Sequence, residues 1–256
     1  MSPLEAIDVS LDEFRARIRA QWSTEFHLHR LTVDLIEPAL TTPRKHEDHI
    51  ALVLDMLFVQ VYKAHVSVRF LAEIGHMEDA ATIARRLLEL SVFAGYISFP
   101  SREEERTARA DRYLGNLWHE LPPEGRAVLP NDIRTFWESI AGGVPRGGLP
   151  SFQKMFAEID KHETYAKDYR LLTGIAHGSS SDQLIAFAHR RVPVRPHWHL
   201  GALLVFASRY AVGLALLWND IYKIIETAAL QSLVDDLTQW PEGRPDPEAT
   251  PPAEAP

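Results

Sequence analysis

Arg170 and His177 stand seven residues apart in the segment HETYAKDYRLLTGIAHGSSSD, which on a helix sets them within about 20° of each other. Thr173 and Gly174 are small and share that face, so the pair frames a shallow gap with an arginine at one edge and a histidine at the other. The histidine falls in the last helical turn, where the dipole favours its protonated form. An arginine clamps a phosphate bidentately, and a histidine titrating near neutrality moves a proton to or from a ribose oxygen. The spacing suits phosphodiester chemistry. It also suits a common arrangement, a terminal histidine bonded to its own helix's carbonyls beside a surface arginine.

Two earlier segments carry polar stripes inside apolar helices. At 100° per residue, Asp55, Tyr62, Arg69 and Glu73 project within about 40° of one another, with His65 flanking them by roughly 80°. In the next segment Arg85, Glu89 and Tyr96 project within about 40°, opposite an apolar face of Ile83, Leu87, Leu90, Ala94 and Ile97. Arg69 with Glu73 and Arg85 with Glu89 have the i,i+4 spacing of ion pairs. The expectation is that the two stripes face each other, bringing Asp55, Arg69 and Glu73 within reach of Arg85 or Glu89. Such a network fixes helix register or lines a site.

The Arg-x6-His motif near the end of a helix, in a chain this rich in helix formers, resembles that of the HEPN superfamily (higher eukaryotes and prokaryotes nucleotide-binding). The run from about residue 48 to 98, with EDAATIARRLLEL, also resembles an uncharacterised bacterial helical family. That family shares an Arg/Glu pair on one helix and a Tyr-to-His segment later in the chain. The matching residues here are Arg85 or Arg86, Glu89, Tyr169 and His177. The HEPN resemblance implies a protein acting on RNA or nucleotides, often as a metal-independent ribonuclease of toxin or antiphage systems, working as a homodimer. It makes Arg170 and His177 the catalytic pair; Arg85, Glu89, Tyr169, Arg69 and Asp55 are read as supporting or substrate-binding residues. Leu171 stands where active members of the superfamily usually carry a polar residue. The other reading is a non-enzymatic helical module whose buried charges specify packing and whose surface binds a protein partner.

Twelve histidines raise the question of metals. His46 and His49 are i,i+3 at the start of a helix and make the best candidate pair. His27 with His29, and His197 with His199, are i,i+2 and point apart on a helix. There is no HExxH and no pair of Glu-x-x-His motifs, so no metal is read. No cofactor is read either. GGVPRGG at 142–148 lacks the strand context and the Lys-Ser/Thr ending of a phosphate-binding loop, and reads as a linker.

These residues need helices to position them. The chain has 256 residues, 46% apolar and 24% charged, which suits a globular protein with a sizeable core. It contains no cysteine, which excludes disulfides, thiolate metal sites and cysteine nucleophiles. A net charge of −8 argues against nucleic-acid or membrane binding by bulk charge, leaving room for a local basic site built from Arg69, Arg85 and Arg86. Prolines cluster at joints, and apolar residues between them recur at three and four. The spacing predicts an all-α, multi-helix bundle with long central antiparallel helices. Helices are expected over about 10–37, 45–74, 78–98, 102–120, 131–140, 151–162, 164–177, 181–191 and 197–239. Gly75 reads as a C-terminal cap; Ser101, Asn131 and Ser179–Asp182 read as N-terminal caps. Residues 141–150 read as the most flexible internal segment. Residues 1–240 form one domain in this reading. Residues 241–256, with six of the seventeen prolines and four acids against one base, form a disordered tail. Leu200 to Trp218 is apolar enough to suggest a membrane span, but Ser208, Arg209 and Tyr210 at its centre favour a buried core helix. No secretory leader is read, and a cytoplasmic location is expected.

Overall fold

The computed structural model describes residues 11–159, 163, 165–176 and 200–240. Its described residues form eleven α-helices and one π-helical turn, with no strand among them. In chain order these are α1 (Leu11–Gln21), α2 (Ser23–Thr41), α3 (His49–Glu73), α4 (Met77–Ser98), α5 (Glu103–Glu120) and α6 (Pro123–Ala127). Then come α7 (Asn131–Ala141), α8 (Phe152–Glu158), the π turn (Tyr165–Tyr169), α9 (Arg170–Ala176), α10 (Leu200–Tyr222) and α11 (Thr227–Gln239). The expected all-α bundle is what forms.

Its axis is a trio of long helices. Gly75, at φ +82°, turns α3 tightly into α4: Gly75 N–H bonds the Ala72 carbonyl and His76 N–H the Leu71 carbonyl. That is the expected left-handed cap, with its two return bonds satisfying the last carbonyls of α3. α10 packs on both α3 and α4. Contacts of Ala51 with Tyr222, Asp55 with Trp218, and His65 with Ser208 run in opposite chain directions, so α10 lies antiparallel to α3. Leu57, Phe58, Val61, Leu87, Leu203, Leu204 and Trp218 are fully buried between them, and Phe58 stacks on Trp218 at 4.3 Å. Both α3 and α10 are long and apolar enough to cross a membrane, with 44% and 61% of their apolar windows buried within this bundle.

Several boundaries differ from the expected ones, each for a local reason. The expected helix 10–37 breaks at buried Trp22 and then runs through Pro38 to Thr41. Arg44 makes the extension possible by donating to the carbonyls of Ala39, Leu40 and Thr42 beyond the proline. α3 begins at His49 because the Asp48 carboxylate caps it, accepting from Ala51 N–H at 2.7 Å. Arg102 and Pro130, rather than Ser101 and Asn131, hold the cap positions of α5 and α7. Pro123 opens the unforeseen short helix α6 from its first turn. The segment 141–150 is anchored, not free: buried Val144 fills the notch left by Gly115, and its carbonyl meets His119 Nε2 at 2.9 Å. The expected helix 197–239 is split at Lys223, where φ is +53° and the Asn219 side chain bonds both the N–H and the carbonyl of Ile225. The expected helix 181–191, the Ser179–Asp182 cap and the tail 241–256 lie outside the described residues.

Candidate functional site

Arg85 and Glu89 sit one turn apart on α4 and pair at 3.3 Å. Glu89 also reaches Arg86 at 3.4 Å, leaving that guanidinium about half exposed. Arg85 extends to the π turn, where it hydrogen-bonds the Tyr169 hydroxyl and lies over the Tyr169 ring, 4.4 Å from its centroid. The turn makes a second tie. The Asp168 carboxylate accepts from the Tyr210 hydroxyl of α10 at 2.6 Å, and burial together with that carboxylate raises the phenol's pKa. Adjacent residues in an α-helix diverge by about 100°. Here the π turn sends Asp168 to α10 and Tyr169 to α4, so α9 starts from a base fixed on two long helices.

Arg170 follows directly. It is exposed and has no hydrogen bond or ion pair among the described residues. On the same helix Leu172 is fully buried, Thr173 donates back to the Tyr169 carbonyl at 2.7 Å, and a side chain at Gly174 would meet nothing within 4 Å. Among the described residues the space at Gly174 is open. His177 lies outside the described residues, one position beyond the end of α9.

Among the described residues no hydrogen bond or ion pair joins the two stripes, which corrects the expectation of one network. Glu73 is buried and receives Arg69 Nε and Arg19 of α1, both at 2.8 Å. Burial pushes its carboxyl up, but the two guanidiniums outweigh that and hold the pKa below the ordinary carboxylate range. Asp55 accepts from Arg44 at 2.5 Å and from the Trp218 indole at 3.1 Å, while Arg44 lies over the Trp218 and Tyr222 rings. The physical reason is topological. α1, the joint before α3 and α10 supply donors to α3's stripe, whereas the π turn supplies Tyr169 to Arg85. Of the seven predicted residues, Arg85, Glu89 and Tyr169 come together and Arg170 adjoins them in the chain; Asp55 and Arg69 belong to separate clusters.

The histidines divide among other partners. His46 Nδ1 meets the Tyr222 hydroxyl at 2.9 Å, and His49 Nδ1 meets Asp111 at 2.6 Å, so the two go to different helices. No group of three or more histidines and acids among the described residues is placed to hold a metal. Sequence reading missed Asp168 and Tyr210, and it missed a stacked pair, His29 on His65. The signal was the polar trio in the middle of apolar α10. Ser208 goes to His65, Arg209 to the Leu237 carbonyl and Tyr210 to Asp168, one partner in each direction.

Fold and site thus define an all-helical bundle with a guanidinium–phenol–carboxylate cluster beneath an uncommitted arginine. No protein-family model, curated protein or solved structure matches the chain.

Proposed function

We propose that this is a HEPN-like protein that acts on RNA or nucleotides at the surface beginning at Arg170. The observation that supports this is the contrast at one peptide bond: Tyr169 is committed to Arg85, and Arg170 beside it is exposed and uncommitted. A helix held at its base and bearing a free guanidinium is a preorganised phosphate contact, since little side-chain order beyond the arginine itself is lost on binding. Arg86, half exposed on the neighbouring helix, adds positive charge.

In the reaction, the ribose 2′-oxygen attacks the adjacent phosphorus as the bond to the 5′-oxygen breaks. One proton leaves the 2′-hydroxyl and another reaches the departing 5′-oxygen; His177 carries one of these transfers and Arg170 holds the phosphate oxygens. A 2′,3′-cyclic phosphate results. The protein would act in the cytoplasm as a homodimer, in a toxin or antiphage role.

Purified protein is expected to cleave single-stranded RNA in EDTA and leave cyclic phosphate ends. His177→Ala should slow cleavage by roughly a hundredfold or more, the usual scale for a lost general acid or base. Cleavage surviving both His177→Ala and Arg170→Ala would refute the assignment. A second reading, a non-enzymatic module binding a protein partner, is favoured by one observation: Asp55 and Glu73 spend their charge entirely on internal partners. Absence of both cleavage and nucleotide binding would select it.

A further inference from the structure

His29 of α2 and His65 of α3 are both fully buried, with their rings stacked 3.7 Å apart and 5° from parallel. Their tautomers follow from their partners. His29 Nε2 faces the His65 carbonyl at 2.9 Å and must carry a proton. Ser208 gives its hydroxyl hydrogen to the Leu204 carbonyl, so His65 Nε2, at 3.2 Å, must donate to the Ser208 oxygen. Each ring therefore has its proton on Nε2 and a bare lone pair on Nδ1, and neither Nδ1 has a hydrogen-bond partner among the described residues. Parallel rings at this spacing cannot aim both lone pairs at one ion lying in the plane of each, so the pair does not hold a metal. What the lone pairs can take up is a proton.

The surroundings oppose that proton. A second N–H on either ring would be a buried donor with no acceptor, attached to a buried charge. Arg69 of α3 acts against a positive charge on both rings, and His29 acts against one on His65. Glu73 of α3 attracts it but already serves Arg69 and Arg19 of α1. On α2, Glu25, one turn before His29, accepts the Trp240 indole N–H, and α10 presents the neutral Ser208.

We propose that the stacked His29–His65 pair is an acid-released clasp, which seats α1 and α2 on the bundle near neutral pH and lets them open as pH falls. Burial, chiefly, lowers the His29 pKa to about 4 and holds that of His65 well below its ordinary value of 6.5. Exposed to water in the opened form, each ring returns to about 6.5. The opened form thus binds more protons, and the seated form loses ground from about pH 6.5 downward. His29 by itself makes opening roughly 20-fold more frequent at pH 5 than at pH 7, and His65 adds to this.

Hydrogen exchange of the full chain, corrected for intrinsic rates, tests the clasp. Amides of residues 23–41 should lose protection by roughly 20-fold or more between pH 7 and pH 5, while those of 80–97 keep theirs. In the double variant His29→Gln, His65→Gln, which keeps donors but takes up no proton, that pH dependence should vanish. Equal loss in both segments, or the same pH dependence in the variant, would overturn the proposal. Should the variant fail to fold, nitrogen shifts of the wild-type imidazoles decide instead. Rings that protonate while α2 stays protected would overturn it, and rings that gain protons only as α2 opens would support it.

Discussion

The two carboxylates of α3 and the cluster on α4 are built from the same residue types and differ in whether their charges are spent. Asp55 faces Arg44 and the Trp218 indole, Glu73 faces two arginines, and both carboxylates are largely buried against these partners. Around α4 the balance is left open. Glu89 is shared between Arg85 and Arg86, Tyr169 takes the far side of Arg85, and Arg170 has no described partner. A closed set costs desolvation and returns register, because removing any member strands the others. An open set holds its members in place and leaves charge for a ligand. Spacing within a helix is identical in the two cases, and only the neighbouring helices separate them.

Substitution can break this comparison at three points. Asp55→Ala should cost the most, about 3–5 kcal/mol in urea denaturation, because Arg44 and the Trp218 indole lose their buried acceptor. A loss under about 1 kcal/mol would mean the α3 set is not closed. Tyr210→Phe should cost about 1 kcal/mol, since half-buried Asp168 can rehydrate once its donor is gone. It should also weaken any RNA or nucleotide binding, because α9 loses one of its two ties. Arg170→Ala should leave the unfolding free energy from urea denaturation within about 0.5 kcal/mol of wild type while reducing nucleotide or RNA affinity. A large stability loss there would show that Arg170 is spent in packing, and the contrast between the regions would fail.

The helices were legible because apolar residues recur at three and four along α3, α4 and α10, and the Gly75 turn was legible because a glycine follows the run. The pairs Arg69–Glu73 and Arg85–Glu89 were legible for the same reason: both partners sit on one helix. What spacing does not carry is which face meets which neighbour. Asp55 and Arg85 lie on stripes of similar composition, yet one turns to α10 and the other to the π turn, a choice made by connections far apart in the chain. Arg44 was hidden differently. It lies in a proline-flanked joint that reads as a break, and it caps one helix while pairing with the next. The stacked histidines left no periodic signal, being thirty-six residues apart on separate helices.

The π turn at Tyr165–Tyr169 also bears on how this chain tolerates insertions and deletions. A π turn is an α-helix with one residue too many, so deleting a single residue there would leave a continuous helix of ordinary hydrogen bonding. α9 would then rotate by about 100° about its axis relative to the residues before the turn. Leu172 would leave the core and Arg170 would swing with it. A change that improves the local backbone would thereby misalign the surface. Within these five residues, length matters more than identity, and a one-residue deletion would be more disruptive than most substitutions.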